Sequence, residues 1–221
     1  MGQGMEVFLG DPSEARTLED GVEAEFLHCL VLQAGLVISG DKACAVFGFT
    51  PRATAGSRTA SLPAVASCAN HVVAVYEDKA SGYGVSLAVL ARRSCGPMVM
   101  AWRPELVSSV LADDESRALL ASADIDVGSA DDAMRCMARR LRSYFRGHAP
   151  FPHELGVLLG YPVRDVRGFM RDGGRGAVAC GRWKVYGDPA AAERRFAELA
   201  RRESALRERF CAGCPVGALI A

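Results

Sequence analysis

The chain has 221 residues, half of them apolar, with 26 acidic and 26 basic side chains. That is enough to bury a full core, so a small disulfide-stapled scaffold is excluded, and eight cysteines set mostly singly in apolar or helical surroundings read as free thiols of a reducing cytoplasm. No basic region followed by an apolar core stands at MGQGMEVFLGDPSE, and the apolar run Phe26 to Ile38 is broken by His28, Cys29 and Gln33, so neither a targeting segment nor a membrane span is expected.

In chain order, Glu14 to about Gln33 carries apolar residues three and four apart, with acids opposite, and predicts an amphipathic helix. Ala43 to Phe49, closed by Pro51, predicts a buried strand, and Pro51 to Ser61 a loop. From Leu62 the apolar positions Val65, Ala66, Ala69, Val72, Val73 and Tyr76 form a helical stripe, which outweighs the strand-like VVAVY. Val85 to Ala91 and Met98 to Trp102 predict a hairpin around Arg92 to Pro97. Pro104 opens a short helix, Asp113 or Asp114 caps another ending near Ala123, and a longer one runs from Ser129 to about Arg146. Asp188-Pro189 begins a last helix reaching about Phe210.

Between these lies the densest stretch, APFPHELGVLLGYPVRDVRGFMRDGGRGAVACGRWKVY from Ala149 to Tyr186. It predicts two short helices joined at Gly160-Tyr161-Pro162, a glycine turn, and a strand ending in Trp183-Lys184-Val185-Tyr186. Charge is unevenly placed around it. Arg135 to Lys184 holds eleven basic residues against three acids, and Met1 to Asp41 holds eight acids against Arg16 alone. Either a basic face is open to an anionic partner, or the two segments lie against each other in the fold.

FPHELGVLLGYPVRDVRGFM followed by CGRWKVYGD resembles the signature of the uncharacterised bacterial family catalogued as domain of unknown function 3793, found largely in anaerobes. LHCLVLQAGLVISGDKACAVF and RPEL at Arg103 to Leu106 are similar to it as well, with a departure at HCLVLQAG, where HCAP-like residues are expected. The resemblance brings no activity, substrate or catalytic residue with it.

Four constellations could carry chemistry. The helix pair has helix-turn-helix spacing, with Arg164, Arg167 and Arg171 able to meet phosphates or guanine edges; the rival is a hairpin used only for packing, because Val157 and Leu158 occupy positions that should face water. His153 and Glu154 offer an acid-base pair, though adjacent residues diverge by about a hundred degrees on a helix and no HExxH partner exists. Cys211 and Cys214, with Cys180, offer a thiol redox or metal site, against a plain helix end. The turn Gly173-Gly174-Arg175-Gly176, with Arg167, Arg171, Arg182 and Lys184 near it and Tyr161, Trp183 and Tyr186 as an aromatic wall, could cradle a phosphate or carboxylate.

The expectation is an α/β protein in the broad sense, with a small mixed sheet of about four strands flanked by six or more helices. It forms one domain over residues 1–221, sheet-containing to about 103 and helical from about 104. The leading function is a cytoplasmic protein binding, or turning over, an anionic small molecule between the glycine turn and the His153 helix, with no cofactor specified. A DNA-binding regulator and a thiol or metal-dependent redox protein are the alternatives.

Overall fold

A sheet with both faces covered organises the chain, and its covering follows from period-2 side-chain alternation. The structure, a computed structural model, describes residues 18–52 and 61–219. Strands β1 (Cys44–Gly48), β2 (Ser86–Arg93) and β3 (Gly96–Trp102) pair antiparallel in the order β1-β3-β2. Ala45, Phe47, Leu87, Val99 and Ala101 enter one apolar cluster, and Cys44, Leu90 and Met100 enter another. The first is completed by helices α1 (Leu18–Ile38), α2 (Leu62–Lys79) and α8 (Pro189–Cys211). The second is completed by α3 (Pro104–Ala112), α4 (Asp114–Ser122), α5 (Ala130–Phe145) and the single turn α6 (Leu155–Leu158). The result is three layers, helix on sheet on helix.

Periodicity decides α2 against its strand-like residues. Ser61 caps it by accepting from the Ala64 amide at 3.4 Å, Pro63 stands in its first turn, and Val65, Ala66, Ala69, Val72, Val73 and Tyr76 are buried. The predicted first helix runs five residues beyond Gln33, to Ile38, because its end lies under α8 and β1 and is apolar all round; residues 14–17 lie outside the described part. At 21 residues α1 is, among the described residues, long and apolar enough to cross a bilayer, yet here it is the central helix of its layer, packed by α2, α8 and β1. Of the loop expected over Pro51 to Ser61, residues 53–60 lie outside the described part.

The hairpin turn is tighter than the expected six residues, because Arg92 pairs with Pro97 and Arg93 with Gly96. Gly96 has φ +125° and a side chain there would collide with the Phe49 carbonyl, so only glycine lets β3 start so close. A register shift between Val89, which pairs with Val99, and Ala91, which pairs with Met98, leaves Leu90 without a partner, and side chains take up the backbone groups of Val89. Glu77 accepts from its amide at 2.8 Å, and Arg142 donates to its carbonyl at 2.9 and 3.1 Å.

The strand predicted to end at Tyr186 does not extend this sheet, which is antiparallel throughout. Lys184–Val185 (β5) pairs with Ala179–Cys180 (β4) in a separate two-stranded ribbon between α7 (Val163–Asp172) and α8. All eight cysteines are free thiols, as expected of a chain this size.

Candidate functional site

The stretch from Phe151 to Gly187 is tied together by one carboxylate. Asp165, in the first turn of α7, is buried and accepts from the Trp183 indole at 2.7 Å and from the amides of Tyr186 and Gly187 at 2.8 and 2.9 Å. A charged acceptor satisfying three donors fixes the ribbon against α7 and orients the Trp183 ring. Gly168 serves the same junction one turn later, because any Cβ there would overlap the Tyr186 ring. Trp183 stacks on Tyr161 with centroids 4.9 Å apart and planes 28° apart, and Phe196 closes its other side edge-on at 4.5 Å.

This Tyr161–Trp183 stack borders two cavities. The smaller, about 250 Å³, is lined by Phe151, His153, Phe169 and Lys184. The larger is a cleft of about 810 Å³ bounded by the loop Gly40–Ala43, α3, the turn from Leu159 to Arg164 and the first turns of α8. Its carboxylates are already committed. Asp41 pairs with Arg202 and accepts from Ser39, Asp113 caps α4, Asp165 holds the ribbon, and Asp188 caps α8. Two of its cations are not. The side chains of Lys42 and Arg164 have no hydrogen-bond or ion-pair partner among the described residues, whereas Arg195 pairs with Glu198 at 2.8 Å. Burial lowers the Lys42 ammonium below the ordinary lysine value, and Arg182 and Arg195 push the same way against the opposing influence of Cys44 and Glu203. Lys42, half-buried, and Arg164, exposed, are therefore the charged groups of this cleft without a partner, while its carboxylates, of which Asp41 alone meets a cation, have their acceptor positions taken.

The predicted site residues are dispersed relative to this geometry. Tyr161 and Trp183 line both cavities, and Lys184 the smaller one. The glycine turn sits elsewhere. Gly173, Gly174 and Gly176 have φ of +60°, +91° and +69° in an outer turn that lines neither cavity, and both neighbouring arginines face inward on it, Arg171 to the Asp172 carboxylate at 2.6 and 2.9 Å and Arg175 to its carbonyl at 3.3 Å. Arg182 grips Glu203 with both nitrogens, and Arg167 is exposed. Tyr186 packs on Gly168, its hydroxyl buried without a partner among the described residues.

His153 and Glu154 diverge, as adjacent residues must. His153 is exposed with its ring 5.2 Å from Phe151 and 4.8 Å from Phe169, while Glu154 is buried with its Oε1 2.9 Å from Arg140 Nη2, a close ion contact too far out of line for a hydrogen bond. They do not form one acid-base pair. Among the described residues no three His, Cys, Asp or Glu side chains converge as metal ligands, so Cys180, Cys211 and Cys214 are not gathered into one site. The helix pair is a packing device at its first member: α6 is a single turn buried at all four residues, while Arg164, Arg167 and Arg171 lie on the open face of α7.

Sequence reasoning missed Lys42, Arg195 and Asp165. Lys42 lies far from the dense stretch, in the turn after α1, and Arg195 on the helix that follows that stretch, and only the fold brings both to the cleft that Tyr161 lines. Asp165 was legible as part of PVRDV, but its role depends on Trp183 arriving eighteen residues later.

Fold and site together define a mixed α/β protein in which one family-like stretch builds the wall between two cavities. Residues 30–220 match the family described as protein of unknown function (DUF3793), and the chain belongs to that family. No curated protein and no solved structure matches it.

Proposed function

We propose that the protein binds an anionic small molecule in the larger cleft, with Lys42 and Arg164 meeting the charge and the Tyr161–Trp183 stack forming an apolar wall beside it. The observation that carries this reading is which charged side chains of the cleft lack partners: its four carboxylates are engaged by hydrogen-bond donors, and Lys42 and Arg164 are not engaged. A partly desolvated cation attracts an anion far more strongly than a solvated one. This moves the expected anion from the glycine turn to the opposite side of the aromatic stack. The eight free thiols fit a reducing cytoplasm as the place of action.

The test is a thermal-shift series with inorganic phosphate, phosphorylated metabolites, nucleotides, flavins and dicarboxylates. A ligand at a hundred times its dissociation constant adds about 2.7 kcal/mol of stability. The shift should vanish in Lys42→Met with Arg164→Ala and persist in Arg167→Ala. No shift with any anion, or a shift that survives the double substitution, refutes the proposal. Duplex DNA competing at the same residues, with affinity falling steeply with salt, would favour the nucleic-acid reading instead.

A further inference from the structure

The basic residues of this chain are distributed unevenly between the two types. Of 26, 23 are arginine and only three are lysine, at positions 42, 79 and 184. Lys79 has an ordinary structural place, 3.6 Å from Glu23 and over the Tyr76 ring at 4.9 Å. The other two line the two cavities, Lys42 the larger and Lys184 the smaller. Arginine serves for surface charge, salt bridges and carbonyl capping elsewhere in the chain, as at Arg140, Arg142, Arg182 and Arg202. What a guanidinium cannot do is lose its proton and attack a carbonyl carbon, and that is what an amine supplies.

Lys42 is placed for that use. It lies in the cleft with no carboxylate within ion-pair distance, since Glu203 is held by both Arg182 nitrogens at 2.7 and 2.5 Å and Asp41 is held by Arg202. The neighbouring Cys44 thiol is buried and remains protonated at neutral pH, pushed up to about 12, so it gives Lys42 no counter-charge there. Burial favours the neutral amine. Arg164, unpaired in the same cleft, can take a carboxylate of the bound acid.

We propose that Lys42 is a nucleophilic amine that forms an imine with the carbonyl of a 2-oxo carboxylate held in this cleft. The neutral amine adds to the carbonyl carbon, giving a carbinolamine. Loss of its hydroxyl as water leaves a C=N bond to Nζ; no oxidant or reductant is consumed, and the bound acid becomes an electrophile. This rests on the cleft being an anion site, and it adds the class of anion and the covalent step.

The experiment uses the full chain with 2-oxoglutarate and pyruvate as probes, sodium borohydride to reduce any imine to a stable secondary amine, and peptide mass analysis. Three lysines make the assignment clean. The reduced adduct should appear on the Lys42 peptide at more than about ten times its level on the Lys79 and Lys184 peptides, as expected of one desolvated amine among ordinary ones. It should be suppressed by glutarate, which has the charge without the carbonyl. Lys42→Arg, which keeps the charge, should retain the thermal shift with glutarate and lose the adduct. A thermal shift with 2-oxoglutarate but no adduct, or equal labelling of all three lysines, overturns the imine and leaves the anion site standing. No thermal shift with glutarate, pyruvate or 2-oxoglutarate overturns both. The localisation in the unmodified protein decides the matter even if the variant does not fold.

Discussion

Replacing Asp165 by alanine removes the acceptor for three donors at once: the Trp183 indole at 2.7 Å and the Tyr186 and Gly187 amides at 2.8 and 2.9 Å. Each buried donor left without a partner costs about 1–3 kcal/mol. The three share one carboxylate, and the two amides are only half-buried, so their losses do not add in full. About 3–5 kcal/mol is the expected sum, a large part of the roughly 5–15 kcal/mol that holds a typical domain folded. At about 2–4 °C per kcal/mol for a chain of this size, the melting temperature should fall by about 10 °C. Calorimetry measures the fall, and tryptophan emission should move to the red as Trp183 loses its bond and its place on Tyr161. Asp165→Asn keeps a carbonyl acceptor but turns an amide donor toward donors, so it should lie between wild type and alanine. A melting temperature of Asp165→Ala within about 2 °C of wild type would refute the reasoning, because it would mean that the carboxylate is not what binds the ribbon to α7.

Two further outcomes are expected. Arg140→Ala leaves the buried Glu154 carboxylate without its counter-charge and should cost about 3 kcal/mol in chemical denaturation, while Arg135→Ala, which breaks an exposed pair with Asp132, should cost less than about 1 kcal/mol; equal costs would contradict the burial argument. Cys44 is raised from 9.0 to about 12 by burial, opposed by Lys42, so its contribution is complete below pH 9 and is lost as pH rises toward about 12, where the unfolded thiol ionises and the folded one does not. Denaturation midpoints should therefore fall with pH over that window less steeply in Cys44→Ala than in wild type, and parallel slopes would argue against it.

Much of the architecture could be read from local pattern. The stripe over Val65 to Tyr76 specified α2 despite its β-branched residues, since three-and-four spacing sets one buried face whatever the residue propensities. Pro104, Asp113, Ser129 and Asp188 marked four helix starts, and three of them do so by hydrogen bonds within their own first turn, which is why a linear reading suffices. The hairpin was legible, but its turn length was not, because the close start of β3 depends on Gly96 meeting Phe49, the residue after β1. The fourth strand was misassigned to the main sheet for a related reason: Lys184–Val185 is fixed by Asp165 and the ribbon, and two residues carry no register of their own.

The sequence by itself determined which stretch matters. The residues from Phe151 to Tyr186 supply the aromatic wall, the packing glycine and the carboxylate that joins them. The tertiary structure decided which side of that wall carries the unpaired charge. Arginines near the glycine turn looked free in one dimension, yet Arg171 and Arg182 are spent on Asp172 and Glu203. Lys42 looked like an ordinary turn residue, yet the end of α1 and the start of β1 place it, with Tyr161, in the lining of the larger cleft. Whether a charge is available depends on which opposite charge lies within a few ångströms of it, and that is a property of the fold and not of the neighbouring residues in the chain.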